Sequence, residues 1–66
     1  MLYPNIAAER ARRNMSLTDL AAVLGVNRRT VWRWEKQGKI PQQAVEKMAD
    51  LFNVSAAYLL EVKNDG

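Results

Sequence analysis

Cysteine and histidine are both absent from the 66 residues. The first absence excludes disulfides and thiolate zinc sites, and the two together exclude a metal held by nitrogen or sulfur. Ser-His and Cys-His catalysis are excluded with them. No other acid–base pair or ligand cluster stands out on one predicted face, so neither an enzyme nor a cofactor is expected. No apolar run approaches the ~20 residues that span a bilayer, and no membrane partner is expected. The N-terminal Met-Leu-Tyr-Pro-Asn lacks the basic region and apolar core of a signal peptide. The missing disulfides fit a reducing compartment, and a cytoplasmic location is expected. Repeats and low-complexity tracts are absent too. What remains is one small domain at most. A chain of this length buries only about 60% of its unfolded surface, and it must hold together without the staples that small domains often use. A hydrophobic fraction of 48% is ordinary for a globular domain and too high for a disordered one.

The charge is unevenly spread. Ten Lys and Arg against seven Asp and Glu give a net of +3. Residues 28–39 hold Arg28, Arg29, Arg33, Lys36 and Lys39 against Glu35 alone, a local net of +4. Residues 40–66 carry a net of −2. A cluster confined to one stretch suggests a polyanion partner, although a solvated helix face has the same composition.

Helix signals recur along the chain. Ser16 and Asp19 form a capping box, with Met15 and Leu20 as its hydrophobic staple. Asn27 caps a second start, stapled by Val26 and Val31, and Ser55 a third, stapled by Val54 and Leu59. Asn14, Gly25 and Asn53 follow amphipathic stretches and tolerate the left-handed conformation that ends helices. Gly38 and Pro41 bracket a turn, and Pro41 suits the first turn of a following helix. Val45, Met48, Ala49 and Phe52 recur with helical spacing, a core-facing stripe. The reading is all-α: helices at 5–13, 17–24, 28–36, 42–52 and 56–61. No segment alternates with a two-residue period, so no sheet is expected. The domain is expected over 1–61, with 62–66 as a frayed tail.

The second and third helices are joined by Gly25-Val26-Asn27, a short turn containing Gly, as a helix-turn-helix requires. Leu20, Ala21, Leu24, Val26, Val31 and Trp34 supply the apolar positions that lock the pair. At about 100° of rotation per residue, Arg28, Trp32, Lys36, Arg29 and Arg33 share one arc of roughly 140°. Thr30 and Trp34 fall beside Val31 on the core side, and Glu35 falls at the core's edge. A helix with a basic face and an apolar back suits the major groove of DNA. Arg28 and Arg29 lie near the helix N-terminus, the part that commonly reaches base edges. Each of these arginines, and Arg33, suits either a guanine edge or a phosphate. Trp32 lies within reach of the same partner, while Trp34 reads as structural.

The stretches MSLTDLAAVLGVNRRTVWRWE at 15–35 and MADLFNVSAAYLL at 48–60, with Arg10 and Pro41, resemble the Cro and phage-repressor (XRE) type of helix-turn-helix family. The resemblance covers nearly the whole chain. It implies a compact five-helix, lambda-repressor-like domain whose third helix enters the major groove. It implies base contacts at Arg28, Arg29 and Arg33, with Asn27 and Trp32 beside them. Phosphate contacts are implied at Lys36, Lys39, Gln42, Gln43 and Thr18. Arg10 and Glu35 occupy positions that form an internal salt bridge in related repressors. Two departures stand out. Leu17 replaces the usual Gln, so it is expected to pack against Trp32 or the stem of Arg28. Gly38 lies one position later than in many members, which alters the phosphate loop.

The function expected is sequence-specific binding of double-stranded DNA by a small prokaryotic or phage regulator, as a homodimer at least on DNA and without a small-molecule ligand. Tyr58, Leu60 and Val62 are the candidate dimer contacts. An antitoxin-type autoregulator that also binds a toxin, or a protein-interaction module that binds no DNA, are the competing expectations.

Overall fold

The computed structural model describes residues 2–62; the expected tail at 62–66, apart from Val62, lies outside the described residues. Among them the chain forms five helices and no strand: α1 (Pro4–Arg12), α2 (Leu17–Leu24), α3 (Arg28–Gln37), α4 (Gln42–Phe52) and α5 (Ala56–Leu59). None is long and apolar enough to cross a membrane.

The helix boundaries follow from local chemistry. Proline stands at the first position of α1, where its missing N–H would have had no partner in any case. At α2 the Asp19 amide donates to Ser16 Oγ at 3.0 Å and the Ser16 amide donates to Asp19 Oδ2 at 3.0 Å, closing the capping box. At α3 Asn27 Oδ1 accepts from the Thr30 amide at 3.0 Å. At α5 Ser55 Oγ accepts from the Tyr58 amide at 3.1 Å. Asn14, Gly25 and Asn53 have φ of 53°, 73° and 57°. Four of the expected limits shift, two of them at α1, which covers Pro4–Arg12 instead of 5–13. Helix α3 runs one residue further, to Gln37, before Gly38 turns away with φ 87°. Pro41 is the N-cap of α4 rather than part of its first turn. Helix α5 ends at Leu59 instead of 61: the Leu60 amide still bonds four residues back to the Ala56 carbonyl, but that of Glu61 reaches only Tyr58, three back, and closes a turn.

Each helix sends one apolar stripe inward. Ile6, Leu20, Val31, Met48, Phe52 and Leu59 are fully buried, one or more from every helix. Burying a side chain of this size contributes about 1.5–3 kcal/mol. Met15, Val26 and Val54, the staple residues preceding the three caps, pack against this core. The tightest pairing is α2 against α3, with Ala21 buried at the crossing.

One of the two buried carboxylates among the described residues joins α1 to the last two helices. Glu9 is 2% exposed. Arg13 Nη1 donates to Glu9 Oε1 at 2.8 Å, Tyr58 O–H donates to Oε2 at 2.8 Å, and Arg12 Nη1 lies 3.2 Å from Oε2. Arg13 also donates to the Phe52 carbonyl at 2.9 Å and stacks 4.9 Å above the Phe52 ring centroid. The carboxylate thereby joins α1 to α5, and Arg13 joins α1 to the end of α4. Asn5 Nδ2 adds a bond to the Tyr58 carbonyl at 2.7 Å.

The hydrogen bond from Arg13, then that from Tyr58, hold the Glu9 carboxyl below its ordinary 4.5, against the opposing effect of burial. A carboxyl depressed on folding stabilises the fold above its unfolded pKa and ceases to do so as pH falls through the folded value. The wild type is therefore expected to be more stable than Glu9→Gln near neutrality. The difference between their urea midpoints should narrow as pH falls below 4.5. A difference constant down to acid pH would show that the charge on Glu9 is not what holds α5.

Candidate nucleic-acid interface

Helix α3 is positioned from behind. Val31, Trp34 and Glu35 are buried, with Trp34 at 8% exposure. Arg28, Arg29, Trp32, Arg33 and Lys36 are all exposed. The two tryptophans, two residues apart, separate as the helical rotation requires: Trp34 is in the core and Trp32 is 45% exposed. The basic face is therefore a continuous outward surface with a rigid apolar back.

Two contacts at Glu35 fix the far end of α3. Its side chain is 3% exposed by residue and is gripped bidentately by Arg10, Nε to Oε2 at 2.8 Å and Nη2 to Oε1 at 3.1 Å. The same guanidinium donates to the Met15 carbonyl at 3.1 Å, next to the cap of α2. The Glu35 backbone carbonyl accepts from the amides of Leu2 and Tyr3 at 2.9 and 3.1 Å. These N-terminal residues then lie over Gly38, where a Cβ would come within 2.7 Å of Leu2 Cδ2. Gly38 has φ +87° and Lys39 φ +60°, so two successive left-handed residues reverse the chain after α3. Glycine meets both demands at position 38, the backbone and the space. Nothing in the sequence pattern signals the N-terminal clamp, because it consists of backbone amides.

The remaining candidates sit around this helix. Asn27 stands at the N-terminus of α3, but its carboxamide oxygen is engaged by the Thr30 amide and by Thr30 O–H at 3.1 Å. Only its amide nitrogen is left to offer. Thr18 is exposed on the first turn of α2, and Lys39 is exposed in the loop after α3. The Gln42 carboxamide donates to Glu46 Oε2 at 3.1 Å, which engages the side chain. No side chain caps α4, so the first amides, at Gln42 and Gln43, lack intrahelical partners and suit an anion. Leu17 lines one open cavity with Arg28, Arg29 and Trp32, close to the residues against which it was expected to pack.

The charge balance of the face is sharper than composition suggests. Among the described residues the ion pairs involve Arg10, Arg12 and Arg13. None involves Arg28, Arg29, Arg33, Lys36 or Lys39. Arg10 is thus matched by Glu35, Arg12 and Arg13 share the one Glu9 carboxylate, and the unpaired outward cations cluster on α3 and the loop after it. Tyr58, a candidate dimer contact, is half-buried with its hydroxyl bonded to Glu9, whereas Leu60 and Val62 are exposed.

Removing one partner of a buried ion pair strands the other charge and costs about 3 kcal/mol. Arg10→Met is accordingly expected to lower the unfolding free energy by about that amount, and the double substitution Arg10→Met with Glu35→Met to recover most of it. Equal losses in the single and double variants, measured by urea denaturation, would contradict a buried and mutually dependent pair.

A helix-turn-helix family model matches residues 6–59, from the first fully buried residue of α1 to the end of α5. Comparison with curated proteins and with solved structures finds no match.

Proposed function

The chain belongs to the Cro-like, XRE-type helix-turn-helix family of DNA-binding regulators, and on that footing we propose that it is a sequence-specific transcriptional repressor. It binds double-stranded DNA with α3 in the major groove. The observation that carries this reading is the exposed arc of Arg28, Arg29, Trp32, Arg33 and Lys36 on a helix whose other side is buried. A basic helix anchored by its apolar back meets the requirements of groove entry: it offers donors to bases and does not collapse onto its own cations.

The roles divide by position. Arg28, Arg29 and Arg33 read base edges, with Asn27 beside them at the start of the helix. Guanine is the favoured partner, because its O6 and N7 match a guanidinium bidentately. Lys36, Lys39, Thr18 and the opening amides of α4 at Gln42 and Gln43 hold phosphates and set the register. One small domain makes few base contacts, so a homodimer on half-sites about 34 Å apart supplies the affinity that a monomer lacks. The exposed Leu60 and Val62 are apolar residues that suit that pairing, in the stretch of the chain with net negative charge.

Binding to a selected duplex is expected to weaken steeply with salt, because bound cations release counterions from the phosphates. Arg29→Ala should relax preference at one base pair, at a cost of about 1–3 kcal/mol. Lys39→Ala should weaken all sequences alike and reduce the salt slope by about 1. A slope of zero, or enrichment of no sequence from a random pool, would contradict DNA reading. Loss of the same base preference in both variants would contradict the division of labour.

A further inference from the structure

The outer face of α3 carries an apolar surface that phosphate and guanine do not use. Trp32 is 45% exposed, an unfavourable position for a large ring unless something covers it. Leu17, the first residue of α2, is half-buried and reaches the same place. Leu17, Trp32, Arg28 and Arg29 together line an open cavity of about 250 Å³. Lys36 Nζ lies 6.0 Å from the Trp32 ring centroid, so a cation lies over the ring at the edge of cation–π range.

The cavity is therefore half apolar and half guanidinium. In the major groove the apolar group that a base pair presents is the C5-methyl of thymine, and the strongest match for a guanidinium is the O6/N7 edge of guanine. We propose, resting on the assignment of α3 as the recognition helix, that the Leu17–Trp32 cavity receives the C5-methyl of a thymine, while Arg28 or Arg29 at its rim reads a guanine in the neighbouring base pair. Leu17 and Trp32 are then specificity-determining residues. What they discriminate is a methylated from an unmethylated pyrimidine. A polar side chain at position 17 would place a hydrogen-bonding group where this cavity has an apolar wall.

The test uses the full chain and the duplex that it enriches from a random pool. Each thymine of that duplex is replaced singly by uracil, which removes the methyl and leaves every hydrogen-bonding edge unchanged. At one thymine per half-site, beside a G·C pair, uracil is expected to weaken binding about fivefold, the scale of one buried methyl. Restoring the pyrimidine methyl by placing 5-methylcytosine opposite guanine at that position should bind more tightly than cytosine there. Trp32→Ala, and independently Leu17→Ala, should bind the thymine and uracil duplexes equally. Uracil that is neutral at every thymine overturns the proposal. So does a Trp32→Ala variant that keeps the wild-type preference, or one that weakens all duplexes evenly, as an indole N–H on a phosphate would. Enrichment of no sequence would remove the recognition-helix reading along with the cavity. Enrichment without sensitivity to the methyl would remove the cavity alone.

Discussion

The buried carboxylate of Glu35 is the constraint on which the rest of the interface depends. It lies in the last turns of α3, 3% exposed, and a carboxylate there is tolerable only if its oxygens are fully bonded. Arg10 meets both of them and also bonds the Met15 carbonyl, so one guanidinium relates α1, the start of α2 and α3. The backbone carbonyl of the same residue takes the amides of Leu2 and Tyr3. A buried ion pair is weak evidence for stability, since two apolar residues often do as well. Its value here is geometric: it sets where α3 stands and therefore where Arg28, Arg29 and Arg33 point.

A second carboxylate does the corresponding work between α1 and the last two helices. Glu9 collects Arg12, Arg13 and the Tyr58 hydroxyl, and these bonds hold α5 and the end of α4. The two sites together engage Arg10, Arg12 and Arg13. The N-terminal arginines, which by composition look like part of a basic surface, are each tied to a buried carboxylate. The positive field toward a partner comes from residues 28–39, opposite a C-terminal half of net negative charge. The same physics stabilises the small core and focuses the outward charge.

The elements and the site were legible to different degrees for physical reasons. Caps and staples act within five residues, so Ser16, Asn27 and Ser55 marked the helix starts. Trp32 and Trp34 could be sorted by rotation alone, because a helix fixes which side each occupies. Glu9 could not be read, since its acceptor role depends on Tyr58, 49 positions away, and no periodicity links the two. The Leu2 and Tyr3 clamp on Glu35 was invisible because backbone amides leave no trace in composition. The Arg10–Glu35 pair was reached only through the family resemblance; by rotation alone, Glu35 stood at the core's edge without a partner. The later glycine after α3 became intelligible with the N-terminal residues lying over it and with its φ of +87°. The helix expected over 56–61 ends at Leu59, where the Glu61 amide turns back to the Tyr58 carbonyl, a bond that no side-chain pattern signals.

The central claim is that a duplex is held on the outer arc of α3, with the loop after it and the opening amides of α4 on the flanking phosphates. Amide and guanidinium chemical shifts recorded during titration with the selected duplex test it directly. The account predicts large changes at Asn27, Arg28, Arg29, Trp32, Arg33, Lys36 and Lys39, smaller ones at Thr18, Gln42 and Gln43, and none at Glu9 and Asp50. Changes concentrated on α5 and the last turns of α4, with α3 silent, would contradict it.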